Sequence, residues 1–195
     1  MTEIEKQDER QGPQALIENI EAHIVEDELS LYERIVACPE DEDGWRYVLE
    51  IGKIKFDDTV RLGDNVTIGD GARIGKFAEI ADGAIVGELA KVGRYAGIAE
   101  SVTIGQGAHI GRGATISRGS SIGGRAHIGQ GALIGELVVV GDLAKIGDSA
   151  TIGAYCDIGE GGIVGSECEL GAGVQVPQDS WVVNWDEQPH QGMTI

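Results

Sequence analysis

The sequence predicts an all-β solenoid, on three observations. An aliphatic or aromatic residue occupies every sixth position from Phe56 to Val176, 21 positions without a miss. Two residues before each stands a second, usually smaller residue, in a series from Ile54 through Ala72, Ala84, Ala96, Ala108 and Ala132 to Val174. Gly follows the aliphatic residue at 16 of the 20 positions from Leu62 onward, as in Ile68-Gly69, Ile104-Gly105 and Ile152-Gly153. A short fixed period is read as a repeat architecture before any local assignment is made. In a helix a step of six turns through about 240° at about 100° per residue, so the series would wind around the barrel and bury nothing. In a strand alternate side chains share a face, so the small residue and the aliphatic one both point inward. The Gly and its neighbour then turn the corner, where φ > 0 is cheapest for a residue without Cβ.

The unit, seen in Ala-His-Ile-Gly-Arg-Gly (108–113) and Ala-Thr-Ile-Ser-Arg-Gly (114–119), resembles the hexapeptide repeat of left-handed parallel β-helices. That fold is shared by bacterial hexapeptide transferases and gamma-class carbonic anhydrases. The resemblance implies triangular coils of three hexads, hence about seven coils, with residues 18 apart stacked in register. The expected architecture is a left-handed parallel β-helix over residues 44–178. It follows a disordered stretch at 1–12 and a short acidic α-helical segment at 13–43, and a C-terminal cap and tail at 179–195 closes it. Such a one-dimensional stack is stabilised by its own interior.

Before the repeat, Leu16, Ile17, Ile20 and Ile24 fall at helical spacing after Pro13. A second helix is expected from Ser30, where Ser-Leu-Tyr-Glu has the capping-box form and Leu31, Tyr32 and Ile35 supply the apolar face. The run 39–44 reads as an acidic loop, and Trp45, Tyr47, Leu49 and Ile51 alternate as a strand leading into the first coil. Trp181 and Trp185 are expected to cap the far end of the stack.

The composition narrows the function classes. Net charge is −18, of which residues 1–53 hold −10 and residues 54–177 only −5. An acidic chain repels nucleic acid. No apolar run reaches membrane-spanning length and the first residues, Met1 to Lys6, are charged, so a cytoplasmic protein without membrane contact is expected. Cys156 and Cys168 occupy small inward slots 12 residues apart and read as buried reduced thiols.

Outward positions are where chemistry can sit. Stacking at 18-residue intervals aligns Arg73, Lys91, His109, His127 and Lys145 in one column, and Lys76, Arg94 and Arg112 in a second at the following corner. Like charges stacked this closely repel, so either the chain's own acidic segment covers them or an anionic small molecule or acidic protein segment binds there. Phe77 and Tyr95 are expected to stack on each other. Ile85, Leu137, Val139 and Tyr155 are exposed apolar residues suited to self-association, and the resemblance implies a homotrimer.

Resemblance to hexapeptide acyltransferases implies a His, here His109 or His127, as general base toward a thioester, with acetyl-CoA or another acyl-CoA as cofactor. The extruded loop usual in those enzymes is missing, since nothing interrupts the period between Leu62 and Val176. The anhydrase pattern needs a third His, and only His23 and His190 remain, both outside the repeat, so no metal site is expected. The sequence reading is therefore a non-catalytic homo-oligomeric scaffold or binding module without cofactor, with an acyl-CoA-dependent acyltransferase as the alternative.

Overall fold

The computed structural model describes residues 29–48 and 51–183, and all its helices and strands lie in the unit Leu31–Ile195. The stretch 1–12, the helix expected over Leu16 to Ile24, His23, Trp185 and His190 fall outside the described residues. Three seven-stranded sheets form the body of the molecule. The first runs from Arg61–Leu62 to Glu169–Leu170, the second from Thr67–Ile68 to Gln175–Val176, and the third from Arg73–Ile74 to Trp181–Val182. Each strand is two residues long, and in nearly all of them an outward residue is followed by a buried aliphatic one. Neighbouring strands are parallel and in register at a separation of 18, as in Arg73↔Lys91 and His109↔His127. The chain is thus a parallel β-helix of seven coils, as the hexads predict.

The interior is a single apolar column in which the isoleucines from Ile104 to Ile158 and the alanines from Ala108 to Ala150 are essentially fully buried. Among the described residues Ser120 is the one polar side chain buried inside the coils, Arg46 being buried at their end. The Ser120 hydroxyl donates to Gly135 O at 2.7 Å and accepts from Val138 N at 3.1 Å, so the group is satisfied in the dry core. Cys156 and Cys168 are free and buried, and Cys156 Sγ donates to Gly171 O at 3.0 Å.

The corners depart from expectation in an instructive way. The residues with φ > 0 are not the glycines that follow the aliphatic positions. They are the residues two places later, from Asn65 to Asp179, with φ between 54° and 73° at every turn. Twelve of these are not glycine, among them Phe77, Leu89, Tyr95, Leu137 and Tyr155. Left-handed backbone costs an L-residue about 1–2 kcal/mol. Nearly every such turn returns an inter-coil hydrogen bond, for example Leu137 N to Arg118 O and Tyr95 N to Lys76 O, both 3.0 Å. The glycines after the aliphatic residues answer a different demand. A Cβ on Gly105 would lie 2.6 Å from Gly124 N, and one on Gly75 2.6 Å from Arg94 N, so it is the close approach of the next coil that excludes a side chain.

The first coil is closed by α1 (Leu31–Ala37), which forms where the capping pattern at Ser30 places it. Ile35 is fully buried, and the Tyr32 ring meets Phe56 edge-on at 5.8 Å. Cys38 N bonds Ile35 O before Pro39 ends the helix. The strand expected after the acidic loop is half of an antiparallel hairpin, β1 (Arg46–Val48) with β2 (Gly52–Ile54). Its inward residues are Arg46 and Val48, while Tyr47 faces out.

Arg46 is 7% exposed and clamps this end. Nη1 donates to Val36 O at 3.1 Å and to Cys38 O at 2.7 Å, the open carbonyls at the end of α1. Nη2 pairs with Glu40 and Asp58, each at 2.8 Å. At the other end the repeat runs one hexad beyond Val176, to Trp181–Val182. Trp181 takes an outward slot paired with Ile163 and is exposed, so it continues a face of the prism instead of capping it.

Candidate anion-binding face

The third sheet carries Arg73, Lys91, His109, His127 and Lys145 on five successive strands, all exposed and each in register with the next. The alternation of the strand puts them outward because Ile74, Val92, Ile110, Ile128 and Ile146 take the buried phase. Lys76, Arg94 and Arg112 follow at the next corner, also exposed. Arg125 stands exposed at the opposite corner of the same face, its stem 3.5 Å from where a Cβ of Gly107 would be.

Among the described residues none of Arg73, Lys91, Arg94, Arg112 and Lys145 forms an ion pair. Ion pairs are formed by other cations, among them Arg46, Lys53, Arg61, Lys76 and Arg118. The described part of the acidic segment is engaged elsewhere. Glu40 holds Arg46, Asp41 lies 3.5 Å from Lys53, and Asp43 O accepts from Lys55 Nζ at 2.7 Å. The Trp45 and Tyr95 rings take two of the cations: the Arg73 guanidinium lies 4.8 Å from Trp45 and that of Arg112 5.7 Å from Tyr95. Tyr95 in turn stacks on Phe77 with centroids 5.0 Å apart and planes 12° from parallel, as expected of that pair.

His109 and His127 meet through their ring nitrogens, Nδ1 to Nδ1 at 3.1 Å. Two neutral imidazoles at this distance need opposite tautomers, one carrying its proton on Nδ1 and the other on Nε2. Partial burial holds the His109 pKa below its ordinary value, and the charges of His127 and Lys91 lower it further. His109 is therefore neutral at pH 7 and able to accept a proton. Among the described residues no group of three or more His, Cys, Asp or Glu could hold a metal ion.

The apolar residues divide. Leu137 and Tyr155 stack at one corner with Val139 beside them on the second sheet, and Leu133 flanks the same corner on the first sheet, all four exposed. Ile85 lies three coils away on the second sheet, separated from Val139 by Thr103 and Ser121. A cavity of about 570 Å³ lies between Tyr32, Asp58, Arg61, Phe77 and Glu79, away from the basic column. Among the described residues no helix is long and apolar enough to cross a membrane.

Sequence reasoning missed two features of this region. Arg46 was hidden inside a charged loop, where the more apolar Trp45 and Tyr47 suggested the opposite strand phase. The Nδ1 contact depends on ring orientation, which a spacing of 18 does not specify.

No family model matches the chain, and no curated protein matches it. Among solved structures it is similar to a hexapeptide transferase family protein from Anaplasma phagocytophilum, at 22% identity over 73% of this chain and 80% of that one, with a TM-score of 0.42. It is also similar to UDP-N-acetylglucosamine acyltransferase from Campylobacter jejuni, at 22% identity over 58% of each chain and a TM-score of 0.46. The acetyltransferase domain of PglB from Neisseria gonorrhoeae, in complex with acetyl coenzyme A, aligns at 25% identity over 59% of this chain and 51% of that one, with a TM-score of 0.28. The first of these is named as a hexapeptide transferase family protein, the other two as an acyltransferase and an acetyltransferase domain. The likeness is one of fold.

Proposed function

We propose that this chain is a binding module whose third sheet takes a phosphate-bearing anionic ligand. The observation that carries the reading is the row of five potentially cationic side chains on adjacent strands, unpaired with any carboxylate among the described residues. An uncompensated row of this kind is destabilised by its own repulsion, and an anion relieves that. Calorimetry of the full chain with pyrophosphate and with acetyl-CoA tests it. Saturable binding that weakens with salt is the expected result; no heat with either anion at low salt overturns it.

The His109–His127 contact favours one second reading, an acyl-CoA-dependent acyltransferase. A neutral His109 would take the proton from an acceptor hydroxyl or amine as its oxygen or nitrogen attacks the thioester carbonyl, the C–S bond breaks, and the coenzyme leaves as thiolate. Thiol release from acetyl-CoA in the presence of candidate acceptors, abolished in His109→Ala, separates the two readings.

Self-association, with a homotrimer as the expected state, belongs to the same proposal and rests on the exposed corner at Leu133, Leu137, Val139 and Tyr155. The free thiols Cys38, Cys156 and Cys168 fit a reducing, cytoplasmic setting.

A further inference from the structure

The basic row has a direction, a pitch and two ends, and these say more about its ligand than its charge does. It runs along the solenoid axis with one group per coil, at the strand spacing of about 4.8 Å, so that five groups span roughly 19 Å. At one end Lys55 stands in register with Arg73 but its Nζ is turned to Asp43 O at 2.7 Å, and the Trp45 ring lies 4.8 Å from the Arg73 guanidinium. Beyond Lys145 the outward residues of the same sheet are Ile163 and Trp181, which carry no charge. Lys76, Arg94 and Arg112 repeat the pitch at the adjacent corner, although Lys76 is partly occupied by Asp57 at 3.1 Å.

All five groups are exposed, so a ligand that meets them is held chiefly by charge. A single exposed ion pair contributes little, between nothing and about a fivefold gain in affinity. A small monoanion touching one or two of these groups would bind weakly. Affinity and specificity arise only if one ligand meets many groups at once, which requires negative charge at least as dense along its length as one per coil.

An acidic peptide in a β-strand does not meet that requirement. Carboxylates on one face of a strand repeat every second residue, about 6.6–6.8 Å, and fall out of step with the row within two coils. Nucleic acid has bulky nucleosides between its phosphates, which hold its charges apart and crowd the face. A chain of directly linked phosphates has neither difficulty. Consecutive phosphates share an oxygen, each carries ionised oxygens that accept hydrogen bonds from Arg and Lys, and free rotation about the bridges lets the chain adjust to the pitch. The His pair stands at the centre of the row, and whichever ring accepts at Nδ1 carries its proton on Nε2, where it can donate to such an oxygen.

We propose that the third sheet is a binding strip for a short linear oligophosphate lying along the solenoid axis, from Arg73 to Lys145. This rests on the anion-binding reading above and narrows its ligand to one class.

The experiment is calorimetry on the full chain with phosphate, pyrophosphate, tripolyphosphate and a chain of about ten phosphates, at several salt concentrations. Affinity is expected to rise roughly two- to fivefold for each added contact until the row is filled, and the salt dependence to steepen in parallel. Lys145→Gln at the far end is expected to weaken the longest chain several-fold and leave pyrophosphate almost unchanged, whereas Arg61→Gln on the first sheet changes neither. Equal affinity for pyrophosphate and the long chain overturns the strip and leaves the anion-binding reading standing. No binding of any phosphate overturns both. Oligo-glutamate or oligo-thymidylate of matched charge binding as tightly as the phosphate chain overturns the assignment to linked phosphates.

Discussion

The Nδ1 atoms of His109 and His127 lie 3.1 Å apart across two adjacent parallel strands, with Lys91 on the outer side of one and Lys145 on the outer side of the other. The pair accepts one proton without conflict, since a single Nδ1–H can bridge the two nitrogens. A second proton would set two N–H groups against each other. His109, with its pKa below the ordinary 6.5, resists charging in the folded state more than in the unfolded chain. Its stabilising contribution is present above about pH 6.5 and is lost as pH falls below that value, because the unfolded chain then binds the proton more readily. NMR titration of the imidazoles is expected to place His109 below its ordinary range, and His127→Ala to move it upward by removing one charged neighbour. An upward-shifted His109 in the wild-type chain would contradict the uncovered row, since it would require a carboxylate nearby.

Arg46 is the second test. Its guanidinium ties the last turn of α1 to Asp58 on the first coil, and its removal strands the carbonyls of Val36 and Cys38. Hydrogen bonds to a charged donor contribute roughly 1.5–3 kcal/mol each in favourable settings, discounted here because Glu40 and Asp58 are well exposed. Arg46→Met is expected to cost about 2–3 kcal/mol and to loosen α1 before the coils melt. Hydrogen exchange would show it as lost protection in α1 with the coils from Ile104 to Ile158 unchanged; uniform loss across the solenoid would refute a local clamp.

How much of this was legible beforehand follows the physics of each region. The period of six fixes phase, face and register at once, so the stacking of Arg73 with Lys91 and of Phe77 with Tyr95 could be read from spacing alone. Position in the hexad did not reveal the φ of each residue, because Leu, Tyr and Phe occupy left-handed corners that propensity assigns to glycine, held there by inter-coil hydrogen bonds. Trp181 was misjudged for a related reason: its outward slot follows from the period, and the expected capping role came from size and hydrophobicity. At Arg46 the surrounding charges masked the strand phase, and burial was decided by partners up to 12 residues away.

Self-association is the third test. Leu133, Leu137, Val139 and Tyr155 crowd one corner and its two flanking sheets, which is more apolar surface than scattered exposure accounts for. Leu137→Glu is expected to shift any oligomer toward smaller species in sedimentation experiments, while Ile85→Glu, three coils away, has a weaker effect. A wild-type chain that sediments as a monomer at tens of micromolar would remove the interface.

The last test concerns the two kinds of corner position. Gly105 has φ outside the left-handed region, and a Cβ there would meet Gly124 N at 2.6 Å and Gly123 C at 2.7 Å, both backbone atoms that belong to the next coil. Neither can move without breaking the inter-coil bond from Gly105 N to Ile122 O at 2.7 Å. Gly105→Ala is therefore expected to destabilise by about 2 kcal/mol or more, through overpacking that spreads to the adjacent coil. Leu89 is the converse case: exposed, at φ 57°, it occupies a conformation that glycine adopts without cost. Leu89→Gly relieves about 1 kcal/mol of backbone strain, partly offset by the greater entropy of the unfolded chain. The two substitutions at neighbouring corners should thus differ in sign or by well over 1 kcal/mol in chemical denaturation. If Gly105→Ala proves as mild as Leu89→Gly, the close approach of the coils is not what keeps glycine after the aliphatic residue.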